Sequence, residues 1–295
     1  MGEPTEMKNS FRIFFLATSL LAAAQSADAQ TRAKNLAAVI STDRAFNKLS
    51  TDSAPQLAFD RYLTADAWLF RPRAIRALEF RRKHPLPKAL ILTWSPEFAD
   101  VSRAGDLAYT TGGWASASRR QDTQELFGQY LTIWMKQKDG RWLGVFNGSV
   151  RTPGPEGKPP TLHSPAQPSA YVGKQSPMVE KNNLIAADNS FSNIARQRGY
   201  AAALRPIAHA DIRTLRHTFH AIGIDSIQVT HSGARVTMWM PVEAVTAVSG
   251  DMGYTRGSYV ISRPDQSNEG GDYMRVWRRD RNGVWRVIID ILSTG

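Results

Sequence analysis

The sequence contains no cysteine, which excludes disulfide scaffolds, thiol catalysis and cysteine-ligated zinc or iron–sulfur centres. Phosphate loops of the Gly-x-x-x-x-Gly-Lys type, dinucleotide fingerprints and Gly-x-Ser-x-Gly nucleophile elbows are missing too, so no cofactor is indicated. The six histidines show no metal-ligand spacing. His217 and His220, three apart on an expected helix, lack a third partner, and no metal is expected. Acidic residues are the minority, 26 against 37 Lys and Arg, for a formal net charge of +11. That surplus is compatible with a polyanion surface or with a solvated exterior. Its densest cluster, Arg71, Arg73, Arg76, Arg81, Arg82 and Lys83, has only Phe70 and Phe80 for aromatic company, so it reads as a solvated helix face.

Long apolar runs are equally scarce. The single example, Ile13 to Ala24, follows Lys8 and Arg12 and precedes Ala27-Asp28-Ala29. A basic start, a short apolar stretch and an Ala-x-Ala site describe a secretory signal peptide over residues 1–29, with a retained anchor as the alternative. The pattern predicts an exported protein, periplasmic or secreted, with no stable membrane insertion after cleavage. Export in turn argues against a nucleic-acid partner.

What the chain does contain is a repeat. Shifted by 145 residues, Asp43 falls on Asp188, Phe46 on Phe191, Arg71 on Arg216, Trp94 on Trp239 and Pro96 on Pro241. Gly105-Asp106-Leu107-Ala108-Tyr109-Thr110-Thr111-Gly112 likewise meets Gly250-Asp251-Met252-Gly253-Tyr254-Thr255-Arg256-Gly257. Past a two-residue deletion, Tyr130, Trp134 and Trp142 meet Tyr273, Trp277 and Trp285. Such self-similarity predicts two copies of one fold, over residues 30–150 and 181–295. Between them, residues 151–180 hold seven of the 16 prolines and read as an extended, semi-rigid linker.

Within each copy, helical periodicity precedes strand patterns, which predicts an α+β class: N-terminal helices packed on an antiparallel sheet. An opening helix carries Asp43 or Asp188 on its apolar stripe. Shorter helices are expected over 55–63 and 74–80 in the first copy, and over 200–208 and 212–222 in the second. Asp139-Gly140 and Asn282-Gly283 predict two-residue type I′ hairpins. That register sets Thr132 opposite Asn147 and Arg275 opposite Asp290. It places Leu131, Ile133, Met135, Trp142 and Phe146 on one face, with Met274, Val276, Val287, Ile289 and Ile291 as counterparts, and this face reads as plain core. The other face takes Tyr130, Thr132, Trp134, Val145 and Asn147, matched by Tyr273, Arg275, Trp277, Ile288 and Asp290. Aromatic with a central polar pair, it reads as a pocket lining or an interface.

These motifs together, Asp-x-x-Phe, Trp-x-Pro, Gly-Asp-x-x-Tyr-Thr-x-Gly, and Gly-x-Tyr-x-x-x-Trp with a Gly-x-Trp hairpin, give each copy a family likeness. Each resembles a SnoaL-like domain of the nuclear transport factor 2-like superfamily, in the branch described as a domain of unknown function. The resemblance implies two cone-shaped domains, helices closing over a curved sheet around an apolar cavity. Ketosteroid isomerase, scytalone dehydratase, polyketide cyclases and limonene epoxide hydrolase share that fold, as do non-enzymes and dimerisation modules, so it transfers no reaction.

Three functions follow as expectations. The first is binding of a small organic, anionic molecule, mainly in the second domain, because Arg275 with Asp290 offers donors where Thr132 and Asn147 are neutral. Asp43, Trp94, Tyr109, Tyr130, Trp134, Asn147, Trp239, Tyr254 and Trp277 are the candidate ligand contacts. The second is a cofactor-free isomerase or dehydratase in which a partly buried Asp188 abstracts a proton while Tyr273 and Arg275, the latter held by Asp290, steady the enolate. The resemblance implies Arg275 inside the cavity and a phenol near a developing oxyanion. The third is assembly: the two domains pack as a pseudo-dimer, or onto another chain, through the face of Tyr130, Trp134, Tyr273 and Trp277. Asp106 and Asp251 read as turn residues.

Overall fold

Two helices open the two halves of the chain, and local chemistry sets where they begin and end. In a computed structural model, α1 spans Glu6–Asp52 and α4 spans Pro177–Arg198. The Ser176 hydroxyl accepts the Val179 N–H at 3.4 Å, and Pro177 sits in the first turn, where a missing N–H costs no helical bond. Gly199, at φ 87°, takes the left-handed position that stops α4. The structure describes residues 6–119, 125–155, 161–165, 171, 175–217, 219–227, 235–262 and 267–294, with the backbone alone for 6–28, 219 and 294. The expected cleavage point after Ala29 falls inside the unbroken α1. Among the described residues no helix is long and apolar enough to cross a membrane.

After α1 come α2 (Pro55–Tyr62), β1 (Leu63–Phe70), β2 (Ala74–Arg76), α3 (Ala77–Lys83), β3 (Leu90–Trp94), β4 (Phe98–Val101), β5 (Leu107–Ser118), β6 (Leu126–Lys136) and β7 (Trp142–Thr152). After α4 come α5 (Tyr200–Leu204), β8 (Ala208–Arg216), β9 (Phe219–Ile222), β10 (Arg235–Thr246), β11 (Met252–Ser262), β12 (Asn268–Arg279) and β13 (Trp285–Thr294). The first sheet runs β2-β1-β7-β6-β5-β3, with β4 also on β5, and the second runs β10-β11-β12-β13-β8-β9. Read from opposite ends, these are one strand order. Both sheets are mixed, because β1 pairs parallel with β7 and β8 parallel with β13, where a wholly antiparallel sheet was expected. The α+β class holds, in two domains each made of helices on a sheet.

Residues 212–222, expected helical, instead form β8 and β9. The reason is a period of two: Ile212 joins the core of its own domain, while Leu215 joins a cluster on the other side of the sheet. Leu63–Phe70 repeats this, with Ala67 and Leu69 on one side and Trp68 and Phe70 on the other. His217 and His220 therefore do not share a helix face.

The hairpins contain two departures that cancel. Gly140 N–H donates to the Gln137 carbonyl and Gln137 N–H to Arg141, so three residues form the turn, with Gly140 at φ 85°. Asp280 to Val284 repeats the arrangement around Gly283. A bulge then shifts the register between Ile133 and Trp134, and between Val276 and Trp277. Beyond the bulges Thr132 faces Asn147 and Arg275 faces Asp290, as the two-residue turn had implied. Between bulge and turn the side chains of β7 and β13 take the face opposite to the expected one, while those of β6 and β12 keep theirs. Trp142 and Val287 thus enter their domain cores, and Val145 and Ile288 the opposite cluster.

That opposite cluster takes side chains from both sheets. Leu131, Ile133 and Phe146 pack with Met274, Ile289 and Ile291. The face that reads as plain domain core is therefore the contact between the two sheets, whereas Tyr130, Trp134, Tyr273 and Trp277 are buried within their own domains. Tyr109 and Tyr254 also lie in the shared cluster.

Polar ties surround it. Asp106 Oδ2 accepts the Val248 N–H at 2.8 Å and Asp251 Oδ2 accepts the Arg103 N–H at 3.1 Å, so each Gly-Asp turn caps backbone in the other half. Arg278 Nε lies 3.1 Å from Asp100 Oδ2, and Arg32 joins the same carboxylate. Gly105 and Gly250 sit at φ 69° and 66°, which places these carboxylates. If the two sheets share one core, Ile289→Ala lowers the stability of the whole chain by about 2–5 kcal/mol. Chemical denaturation followed by tryptophan fluorescence measures it, and a loss confined to one of two separate transitions counts against a shared core.

Candidate functional site

The two opening helices deliver an aspartate to equivalent places. Asp43 and Asp188 are fully buried on the apolar stripes of α1 and α4. A carboxylate there needs donors. Asp43 receives the Trp94 indole N–H and the Tyr130 hydroxyl, both at 2.6 Å. Asp188 receives the Trp239 indole at 3.1 Å and the Tyr273 hydroxyl at 2.7 Å. In both halves the Trp of the Trp-x-Pro motif and a Tyr from the hairpin clasp the helix.

Beyond that point the halves differ in charge. Asp188 also accepts from Arg275 Nη1 at 3.0 Å, and Arg275 Nε donates to Asp290 Oδ1 at 3.0 Å. Arg216 Nη2 reaches Asp290 Oδ2 at 2.6 Å and the Tyr200 hydroxyl at 2.7 Å, while Tyr200 itself donates to Asp290. The Arg275 guanidinium lies 3.7 Å over the Phe191 ring and 4.0 Å over Trp239. Burial alone would raise the Asp290 pKa, but Arg275 and then Arg216 reverse the effect and hold it below the usual carboxylate value. Tyr273 is pushed far above its ordinary value by burial and by Asp188. Each carboxylate and each phenol of this network has a partner, as a structural network requires, while Arg216 Nε makes no hydrogen bond among the described residues.

In the first half the same positions are neutral: Asn147 Nδ2 donates to Thr132 Oγ1 at 2.9 Å. Asp43 gains no arginine, and burial raises its pKa despite the Tyr130 hydrogen bond. Arg71, the counterpart of Arg216, has Asn147 where Arg216 has Asp290. Among the described residues its guanidinium donates to the adjacent Phe70 carbonyl alone, at 2.9 Å.

A cavity of about 720 Å³ opens beside these residues, within the usual size of small-molecule sites. Phe59, Trp94, Trp114 and Tyr130 give it aromatic walls. Arg71, Arg81 and Arg151 supply charge, Asn147, Ser116 and Ser149 neutral polarity, and no carboxylate lines it. His217, Leu292 and Ser293 of the second domain complete one side. Arg81 is only 4% exposed, its guanidinium 3.8 Å over the Phe59 ring, and its Nε has no partner. Burial first, and the charge of Arg71 second, push its pKa down to about 9.

Of the ligand contacts named from sequence, Trp94, Tyr130 and Asn147 line this cavity, with Asp43 bracing the first two from behind. Trp134 and Trp277 donate to Thr110 and Thr255, both at 2.8 Å, and serve their cores. Tyr109 and Tyr254 point to the shared cluster, because the alternation of their strands turns them away. Asp188, Tyr273, Arg275 and Asp290 lock one another and Trp239, and none lines the cavity. This cavity belongs to the first domain, whereas the polar set of the second was expected to carry the ligand. Arg81, expected on a solvated face, was missed because its helix spacing resembles that of the exposed Arg82 and Lys83 beside it. The signal for Arg71 was its match to Arg216 combined with the loss of an acid at Asn147.

Removing charge should distinguish the two networks. Asp290→Asn leaves two buried guanidinium groups short of an anion and should cost about 3–5 kcal/mol. Burial raises the Asp43 pKa, so the stability that protonated Asp43 contributes is present below its unfolded pKa and is lost as pH rises through the folded one. The wild type should therefore lose stability relative to Asp43→Asn as pH rises from the ordinary carboxylate range, followed in denaturant titrations. A difference that stays constant with pH counts against a raised Asp43 pKa.

No family model matches the sequence, and no curated protein does. Among solved structures, a ketosteroid isomerase-like protein from Erwinia carotovora atroseptica is 15% identical, with a TM-score of 0.34, over 41% of this chain and 97% of its own. A nuclear transport factor 2-like protein of unknown function from Pseudomonas putida is 12% identical, with a TM-score of 0.33, over 40% of this chain and 87% of its own. The association domain of C. elegans CaMKII is 16% identical, with a TM-score of 0.31, over 38% of this chain and 91% of its own.

Proposed function

We propose that this protein binds a small organic anion in the cavity of its first domain, and that the second domain is a structural partner forming a pseudo-dimer with it. One observation carries the reading: the cavity is lined by three arginines and no carboxylate, beside a wall of aromatic rings. A positive site that includes one buried guanidinium, Arg81, without its own carboxylate favours an anion, and flat rings favour an apolar body behind it. The neutral Asn147 supports this reading, since an acid at that place would satisfy Arg71 as Asp290 satisfies Arg216.

The acid–base alternative has less support. Asp188 already accepts three hydrogen bonds from Trp239, Tyr273 and Arg275, and its oxygens face those donors rather than the cavity. The reading of residues 1–29 as an export signal rests on their charge and apolar pattern alone, and N-terminal sequencing of the mature protein tests it.

A panel of aromatic and alicyclic carboxylates, sulfonates and neutral analogues, screened by thermal shift, tests the binding reading. Anionic members should raise the melting temperature and lose that effect in Arg71→Ala, while Arg275→Ala should destabilise the chain without selectively abolishing binding. Stabilisation by neutral members alone, or a response unchanged by Arg71→Ala, would refute it.

A further inference from the structure

The cavity's arginines set more than the sign of a ligand's charge. The second domain shows how this fold stabilises two guanidinium groups behind its sheet. Arg275 and Arg216 share two carboxylates, Asp188 and Asp290, and all four are buried. The first domain presents Arg71 and Arg81 to its cavity with neither acid to match. Arg81 lies on α3, nine-tenths and more buried, with its Nε unpartnered against the face of Phe59. The charge of Asp60 acts on it only through space, from an exposed position. Arg71 faces the open side, hydrogen-bonded only to its neighbour's carbonyl, and Arg151 adds a third charge at the rim.

Two like charges brought to one cavity repel, and one of them lacks water. An arriving anion relieves both costs if it carries enough charge to answer both groups. Guanidinium forks match carboxylate and phosphate oxygens in pairs. Resting on the reading of the cavity as an anion site, we propose that its ligand is an organic dianion. It has a compact doubly charged head, as in a phosphate monoester or a geminal dicarboxylate, held by Arg71 and Arg81, and a ring body against Trp94 and Trp114. The head supplies what Asp188 and Asp290 supply in the second domain. Ser116 and Ser149 offer hydroxyl donors to any remaining oxygens.

A series built on one body tests this with the full chain: 2-naphthol, 2-naphthoate, 2-naphthyl phosphate and a naphthylmalonate, titrated calorimetrically at one ionic strength. Both dianions should bind at least about ten-fold more tightly than 2-naphthoate, and Arg81→Gln should shrink that gap to about three-fold. A tight phosphate with a weak malonate, or the converse, keeps the dianion and identifies its source. Should Arg81→Gln fold poorly, the unaltered protein still decides, since dianion affinity should fall more steeply with salt than monoanion affinity. If 2-naphthoate binds as well as either dianion, the inference fails while the anion reading stands. If 2-naphthol binds best, or nothing binds, both fail.

Discussion

A carboxylate placed on the apolar stripe of a helix must find donors inside the protein or be neutralised by a proton. Asp43 and Asp188 place that demand on both halves of the chain, and the answer is common to both: one indole N–H and one phenol O–H from the sheet. These bonds do what apolar packing alone does poorly, since they fix the rotation and depth of the opening helix over the strands. Trp94 and Trp239 are held by the same contact that they provide, and the walls behind each sheet inherit their positions from it.

From this shared clasp the halves diverge through few residues. Arg275 in place of Thr132, and Asp290 in place of Asn147, turn one interior into a closed ionic lattice with Tyr200 and Arg216 at its centre. The other keeps neutral groups and an open volume. A network whose members satisfy one another gives rigidity and little chemistry. An unmatched guanidinium gives the reverse, and the difference between the two interiors follows from where the carboxylates lie.

Much of this was legible in the sequence. The α+β order and the polar pairs Thr132–Asn147 and Arg275–Asp290 follow from residue spacing. Other features needed the third dimension. The strand Ala208–Arg216 has alternating side chains buried on both sides, so its pattern lacks the polar alternation that marks a half-exposed strand. The hairpin bulges moved Trp142 and Val287 across the sheet without disturbing the central pairs. Burial of Arg81 was illegible because a charged helix in sequence looks solvated until another element covers it. The direction of the binding argument also reversed: a neutral pair looks unsuited to anions until the arginine beside it is seen to lack a counter-ion.

The reciprocal capping by Asp106 and Asp251 couples the fates of two distant loops. Each Gly-Asp loop completes a peptide group in the opposite half, so a change in either is felt across the seam rather than within one half. The seam thus restrains both halves at once while leaving the ground behind each sheet free to vary.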